Sequence, residues 1–333
     1  MDEKMTIQDG VWDVGEKGWE DFLAFINDHF FTAGENNQHV PGNCLWRGKP
    51  DKYVWRGEPG AQKTPLVSSF DRECAGSDQE DRAALLKKHR QAFLYAVRGR
   101  TEEFGFSIAE LKHYVKTETL NKNHLWAFGQ HYGLATPLLD WTASPFVAAF
   151  FACEGKQGGI GECIRDDSKA AQVRDSLLKE LDEMVDLDTR EKEELKEEIQ
   201  PGPRIVYGLK YEELCERSKR ERRYDNPYRG VEYFSPMSSE SGRLTSQQGL
   251  FIFTEDGGSV VQWVKQLFAG QKETPILIRI KIPAEMRKAF LANLNLMGIN
   301  HRSIYPDVCG AAKFCSMGLE IGPGYADALV PKE

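Results

Sequence analysis

The sequence lacks the long apolar runs that cross membranes. No stretch approaches about 18 consecutive apolar residues, and the longest apolar region is residues 145–153. The chain opens on Met1-Asp2-Glu3-Lys4 without a basic segment followed by an apolar one, so no secretory signal is expected. We therefore predict a cytoplasmic protein that has no membrane partner.

Cysteine and histidine are sparse and carry no metal-binding pattern. The seven cysteines are odd in number and never form a C-x-x-C pair, which predicts reduced thiols rather than a disulfide framework or a zinc finger. The seven histidines include no H-E-x-x-H and no helical i, i+4 pair. We predict no metal cofactor.

The common nucleotide and hydrolase motifs are also missing. The sequence contains no G-x-x-x-x-G-K-[ST], no G-x-G-x-x-G after a strand and no G-x-S-x-G. P-loop, Rossmann and nucleophile-elbow chemistries therefore have no support.

The composition is that of a folded globular protein. The 333 residues are 41% hydrophobic and 28% charged, which excludes collagen-like, coiled-coil and wholly disordered chains. The length allows one large domain or two ordinary ones. The formal net charge of -8 is unfavourable for nucleic-acid binding, but it is unevenly distributed along the chain.

Helical patterns dominate the first half of the sequence. Apolar residues from Trp19 to Phe30 recur at i, i+3, i+4, i+7 and i+11, which predicts an N-terminal packing helix. A short strand is predicted at residues 53–55, and helical pieces extend from about residue 78 to residue 131. Ser144 suits an N-cap with Pro145 at the first helical position, so a helix should begin there.

Strand patterns dominate the last third. Residues 250–253 form a compact apolar run, and residues 276–282 alternate as a half-buried strand requires. Pro283 then opens a helix that Gly298 closes. Helices early and strands late predict an α+β fold.

Two neighbouring segments carry opposite charge. Residues 174–199 contain 11 acidic and 5 basic residues, which favours a solvated helical hairpin, although docking of a basic partner is an alternative. Residues 217–229 contain 6 basic and 2 acidic residues with tyrosines close by. This basic segment either grips nucleic-acid phosphates and stacks bases, through Arg220, Arg222, Arg223 and Tyr224, or is a solvated face.

One tryptophan-arginine-glycine motif has the composition of an anion site. Arg56 follows the predicted short strand and precedes Gly57, so a guanidinium and a bare backbone could approach an anion together. A surface ion pair is the structural alternative for Arg56.

The chain resembles the FRG domain family. The resemblance is carried by Trp55-Arg56-Gly57, by residues 131–142 (HYGLATPLLDWT), by residues 243–251 (RLTSQQGLF) and by residues 276–306. It spans roughly residues 45–315. It departs from the family pattern at Ala135-Thr136-Pro137, where an arginine is missing, and at Trp55, where the family has Phe or Tyr.

The order of these blocks is more distantly similar to that of mono-ADP-ribosyltransferases. Arg56-Gly57 resembles their first motif, and residues 140–152 resemble the second, a polar strand end that leads into a helix. Gln247-Gln248 stands where the third motif has its glutamate. Gln248 cannot ionise, so the resemblance implies that Asp140 or Glu255 would have to supply a negative charge.

These resemblances imply an α+β fold with an ADP-ribosyltransferase-like split β-sheet core at residues 45–315. A helical segment (1–44) would precede it and a tail (316–333) would follow. The core would include an acidic helical insertion (168–200) and a basic segment (215–233). The implied catalytic residues are Arg56, Asp140 and Gln248. The implied NAD-binding residues are Trp55, Arg56, Gly57, His131, Tyr132, Trp141, Thr142 and Ser144.

The implied function is cleavage of NAD and transfer of ADP-ribose to a macromolecular acceptor. Nucleic acid, RNA before DNA, is the expected acceptor, and a bacterial or phage-defence toxin with an antitoxin partner is the expected context. The alternative is a non-catalytic module that binds a nucleotide or nucleic acid and signals to a partner protein. Local structural roles also remain open, because Asp140, Thr142 and Ser144 suit helix capping and Gln248 suits pairing with strand backbone.

Overall fold

The computed structural model describes most of the chain in separate stretches. The described residues are 6–31, 53–60, 66–74, 79–97, 122–155, 167–184, 192, 202–221, 230–234, 247, 249–254 and 256–322. Within these stretches, no helix has both the length and the apolar character needed to cross a membrane.

The strands of the described residues form one mixed sheet. They are β1 Ile7–Gln8, β2 Val11–Glu16, β3 Tyr53–Glu58, β4 Leu138–Thr142, β5 Arg204–Lys210, β6 Val231–Phe234, β7 Gly249–Thr254 and β8 Leu277–Ile282. Their order across the sheet is β1-β2-β8-β5-β3-β4-β7-β6. The β2–β8 pair is parallel and the other pairs are antiparallel.

Helices precede, connect and follow the strands. They are α1 Trp19–Ile26, α2 Ser69–Glu73, α3 Gln79–Ala96, α4 Lys122–His131, α5 Pro145–Glu154, α6 Asp167–Glu183, α7 Tyr211–Glu221, α8 Val260–Leu267, α9 Arg287–Leu296, α10 His301–Ile304 and α11 Val308–Ile321. A π-helical turn, Asn27–Phe31, extends α1, and a 3-10 turn, Ala284–Met286, precedes α9. The predicted N-terminal helix and the predicted helix start after Ser144 are both confirmed.

The α+β class is confirmed, but the predicted order of its parts is wrong. Strands do not collect in the last third, because β1, β2 and β3 all precede residue 60. Pairing of β2 with β8 joins the N-terminal segment to the same sheet. The predicted limit at residue 315 falls inside α11, and the predicted strand at 53–55 continues to Glu58, so Arg56 lies within a strand rather than after it.

The two faces of the sheet pack against different cores. One core joins Trp55 and the inward residues of β8 to α1, α5 and α9. The other joins Val54, Trp141 and Tyr207 to α7 and α8. Because successive strand residues point to opposite faces, Trp55 and Arg56 lie on opposite sides of β3.

Helix α5 lies directly on β3, and Gly57 makes this contact possible. A Cβ atom added at Gly57 would lie 1.9 Å from the Ala148 carbonyl oxygen and 2.4 Å from the Ala152 backbone nitrogen. Both are backbone atoms of a buried helix, so they cannot turn away as a flexible side chain could. Gly57 therefore fixes the position of α5 relative to the neighbouring Arg56.

We expect Gly57→Ala to destabilise the fold by about 3 kcal/mol, at the upper end of the usual cost of overpacking. The methyl group would push α5 away from β3. Gly18→Ala is the matched control, because a Cβ at Gly18 meets nothing within 4 Å. Urea unfolding of both variants measures the difference, and equal midpoints would contradict this account of Gly57.

Two buried arginines bind the carbonyl groups at the end of α5. Arg204 Nη1 donates to the carbonyl oxygens of Ala152 and Gly155, both at 2.8 Å. Arg287 Nε donates to the Cys153 carbonyl oxygen at 2.8 Å. These bonds satisfy acceptors that a helix leaves open at its C-terminus and favour positive charge there.

The last residue of α5, Glu154, belongs to a polar cluster with α10. Tyr305 donates its hydroxyl to Glu154, and the His301 Nε2 atom lies 3.5 Å from Glu154 Oε2. Burial, together with Lys313 and Arg287, lowers the pKa of His301 to about 4. Burial raises the pKa of Glu154, and the Tyr305 hydrogen bond opposes this shift.

We expect His301 to make the folded state less stable in acid. Between its ordinary pKa of about 6.5 and its folded value of about 4, the unfolded chain binds a proton that the folded chain does not, so stability falls as pH falls. The raised pKa of Glu154 acts in the opposite direction. His301 lowers the free energy of unfolding over this pH interval by an amount on the order of 2 kcal/mol. His301→Phe should remove this loss.

Denaturant unfolding of both proteins at several pH values between 7 and 4 measures this contribution. The wild type should lose more stability than the variant over that interval. Parallel curves for the two proteins would exclude His301 as the source.

Candidate functional site

Strands β3 and β4 are joined at one point and separate beyond it. Their ladder contains one residue pair, Trp55 with Thr142. By contrast, β3 and β5 share six pairs and β4 and β7 share five. The sheet therefore opens beside Arg56, where two neighbouring strands do not satisfy each other's backbone groups.

The Arg56 side chain reaches across this opening. Its Nη1 atom donates to the Asp140 carbonyl oxygen at 2.8 Å and lies 4.0 Å from Asp140 Oδ2. Its Nε atom donates to Glu58 Oε1 at 3.3 Å. The side chain is 18% exposed, so the guanidinium is held on two sides while still contacting solvent.

Asp140 presents a carboxylate at the same opening. Its side chain is 59% exposed, and Gln130 Nε2, at the end of α4, donates to Oδ2 at 2.5 Å. The buried Thr136 hydroxyl in turn donates to Gln130 Oε1, which fixes the orientation of the Gln130 amide. Among the described residues, the Gln130 hydrogen bond goes to Oδ2 rather than to Oδ1.

The protein around Asp140 changes its proton affinity. Desolvation raises the pKa of Asp140, and the Arg56 charge and the Gln130 hydrogen bond oppose this rise. The perturbed pKa of Asp140 is typical of functional carboxylates.

Thr142 and Ser144 join the end of β4 to the start of α5. Thr142 Oγ1 donates to the Gln247 carbonyl oxygen at 2.7 Å and accepts from the Ser144 backbone N–H at 3.2 Å. Ser144 Oγ accepts from the Val147 backbone N–H at 3.3 Å and caps α5. Both hydroxyls thus have the structural role that was the alternative to ligand binding.

Two aromatic residues of the proposed NAD site lie in the interior. Trp55 and Trp141 are 0% and 2% exposed, so neither ring forms a wall of the opening. Gly57 faces α5, so its missing side chain makes room for the backbone of this helix rather than for a ligand. By contrast, Tyr132 is 60% exposed, and it and His131 follow Gln130 directly at the end of α4.

Other predicted residues fall outside the described part of the chain. These are Gln248, Glu255, Arg222, Arg223 and Tyr224. On either side of Gln248 in the sequence, Gly249 pairs with Thr142 and the Gln247 carbonyl accepts from the Thr142 hydroxyl. Arg220 lies on α7 and forms an ion pair with Glu216 at 3.5 Å.

Sequence analysis missed Glu58, Gln130 and Thr136 as members of this site. The strand period carried a signal for Glu58, since residues two apart in a strand share a face. The motif at residues 130–142 contained no signal for the contact between Gln130 and Asp140, because this contact depends on where α4 ends relative to β4.

The FRG domain family model matches residues 51–159. This segment contains β3, β4 and the helices from α2 to α5, and therefore Arg56, Gln130 and Asp140. It is similar to FRG domains, which confirms that resemblance for this part of the chain. The comparison with curated proteins and the comparison with solved structures each returned no match.

Proposed function

We propose that this protein is an ADP-ribosyltransferase-like enzyme that cleaves NAD and transfers ADP-ribose to a macromolecule. The observation that carries the proposal is the position of Arg56 and Asp140 at one opening between β3 and β4. A phosphate-binding cation and an exposed carboxylate then lie within one ligand's reach, on strands that belong to the rigid sheet.

Arg56 would bind the pyrophosphate. A guanidinium has five N–H donors, and the contacts to Glu58 and Asp140 use one at Nε and one at Nη1. The Nη2 donors remain for phosphate oxygens. Charge-assisted bonds of this kind are among the strongest that a side chain can offer an anion.

Asp140 would act on the ribose. When the bond between C1′ and the nicotinamide nitrogen breaks, its electron pair leaves with nicotinamide and positive charge develops on the ribose. A carboxylate already fixed beside that charge stabilises the transition state. The acceptor nucleophile then bonds to C1′ and releases its proton, which completes the transfer.

Gln248 remains the proposed third residue, next to the strand end that Thr142 binds. Its amide could hold a ribose hydroxyl without contributing charge. Asp140 therefore supplies the carboxylate that the sequence resemblance required from elsewhere.

The acceptor we propose is nucleic acid, with RNA favoured over DNA. The protein would then be a toxin that an antitoxin protein restrains. This part of the proposal rests on the basic residues 217–229. On the described helix α7, the arginines Arg217 and Arg220 pair with Glu221 and Glu216, which reduces the field they present to phosphates.

NAD labelled in its adenylate phosphate tests the proposal. The purified protein is incubated with this NAD and separate pools of protein, RNA and DNA, and released nicotinamide is measured in parallel. Label retained in one pool, with nicotinamide released in equal amount, is the expected result. NAD binding without release of nicotinamide would favour the non-catalytic binding module. No NAD binding would exclude the enzyme and would leave only a module that binds another nucleotide or nucleic acid.

A further inference from the structure

Glu58 is a buried carboxylate directly beside Arg56. It ends strand β3, two residues after Arg56, and therefore lies on the same face of the sheet. Its side chain is 2% exposed. Burial of an ionised carboxylate costs several kcal/mol unless a partner compensates it, so its presence here calls for a reason.

The contacts of Glu58 point to Arg56 as that reason. Glu58 Oε1 accepts from Arg56 Nε at 3.3 Å, whereas Oε2 is buried and has no hydrogen-bond partner among the described residues. The same is true of the Tyr207 hydroxyl on the same face within the described part of the chain. Burial and the Glu58 charge raise the pKa of Tyr207, so this hydroxyl stays protonated. Each buried polar group of this kind calls for an explanation.

The two contacts of Arg56 together define the plane of its guanidinium. Glu58 binds Nε from within the sheet, and the Asp140 carbonyl oxygen binds Nη1 from across the opening. A long, flexible side chain fixed at two nitrogens can present its remaining donors in only one direction. The Nη1 contact places this guanidinium beside the opening, where Asp140 is exposed.

We propose that Glu58 is a positioning residue, which holds the Arg56 guanidinium in the orientation that binds the NAD pyrophosphate. This inference rests on the proposed function. Glu58 itself touches no ligand, since it is buried behind Arg56. Glu58 restricts the rotation of the Arg56 side chain before NAD binds. Binding then no longer carries the entropic cost of ordering this side chain, which is roughly 0.5–1.5 kcal/mol.

Charge alone predicts the opposite effect. The Glu58 carboxylate partly cancels the Arg56 charge, so removing it makes the site more positive and would strengthen its attraction for pyrophosphate. Positioning and charge therefore predict changes of opposite sign. The sign of the change in NAD affinity decides between them.

The experiment measures NAD affinity by calorimetry in Glu58 variants of the full chain. Glu58→Leu removes both the charge and the hydrogen-bond acceptor. We expect it to weaken binding by about three- to tenfold while keeping or raising the unfolding midpoint, since apolar replacements of buried charges are often stabilising.

Two further variants separate geometry from charge. Glu58→Gln keeps the length and the acceptor oxygen without the charge, and should retain most of the affinity. Glu58→Asp keeps the charge but is too short to reach Nε, and should lose as much as Glu58→Leu. Glu154→Gln is the control at a half-buried glutamate that binds Tyr305 instead, and should bind NAD as the wild type does.

Unchanged or tighter NAD binding by Glu58→Leu, with binding lost in Arg56→Ala, would overturn the positioning role and leave the proposed function intact. Absence of NAD binding by the wild type would overturn the proposed function itself.

Discussion

Arg56→Ala is expected to abolish NAD binding and transfer while the protein stays folded. The substitution removes the donors that face the opening between β3 and β4 and leaves the hydrophobic cores unchanged. Loss of a charge-assisted phosphate contact of this kind costs roughly 1.5–3 kcal/mol for each hydrogen bond, so two lost bonds weaken binding by about 10²-fold or more. Calorimetry with NAD measures the loss, and thermal unfolding verifies the fold.

Arg279→Ala is the matched control for this variant. Arg279 lies on the same face of the sheet, on β8, and forms an ion pair with Asp13 rather than facing the opening. It should bind NAD normally. A folded Arg56→Ala protein with wild-type affinity would mean that Arg56 is not the phosphate-binding residue.

Asp140→Asn is expected to lower the rate of transfer by about 10²-fold, the usual scale for losing one preorganised electrostatic group. The amide has nearly the same shape as the carboxylate but carries no charge to stabilise the developing oxocarbenium ion. NAD binding should change little, so the loss appears in kcat rather than in KM. Single-turnover release of nicotinamide measures it directly.

The control for Asp140→Asn is Asp13→Asn, which removes a carboxylate that pairs with Arg279 and Lys281 away from the opening. Gln248→Ala is the companion variant at the proposed third residue and should also slow transfer. Wild-type rates in both Asp140→Asn and Gln248→Ala would remove the chemical basis of the proposed enzyme.

The raised pKa of Asp140 adds a pH dependence. The proposed role requires the ionised carboxylate, so transfer should fall as pH falls through this pKa. Because the pKa lies above the ordinary value of aspartate, the fall should begin at a higher pH than an exposed aspartate would give. The profile of the wild-type rate against pH measures this.

Local patterns in the sequence were enough to predict individual elements. Ser144 followed by Pro145 predicted the start of α5, and the alternation of residues 276–282 predicted β8. The family-like motif around Arg56 and Asp140 also identified both charged residues that meet at the site. Such features depend on hydrogen bonds and side-chain periods within a few residues of one another.

Local sequence patterns could not show which aromatic residues face the ligand site. Trp55 and Trp141 stand beside Arg56 and Asp140 in sequence, but both lie in the cores. Their direction depends on the phase of each strand. The strand was predicted to end at Trp55, one residue before Arg56. The side of the strand on which Arg56 lies could therefore not be predicted.

The sequence by itself determined the capped start of α5 and the strand β8, because each follows from chemistry between near neighbours. The candidate charges Arg56 and Asp140 were identified through motifs that resemble known families. Only the tertiary structure decided that the Arg56 guanidinium meets the Asp140 carbonyl 84 residues away, that Gln130 holds the Asp140 carboxylate and that Glu58 holds Arg56. The physical reason is strand order and register. A single ladder pair joins β3 to β4, and this pairing sets which distant side chains share the opening.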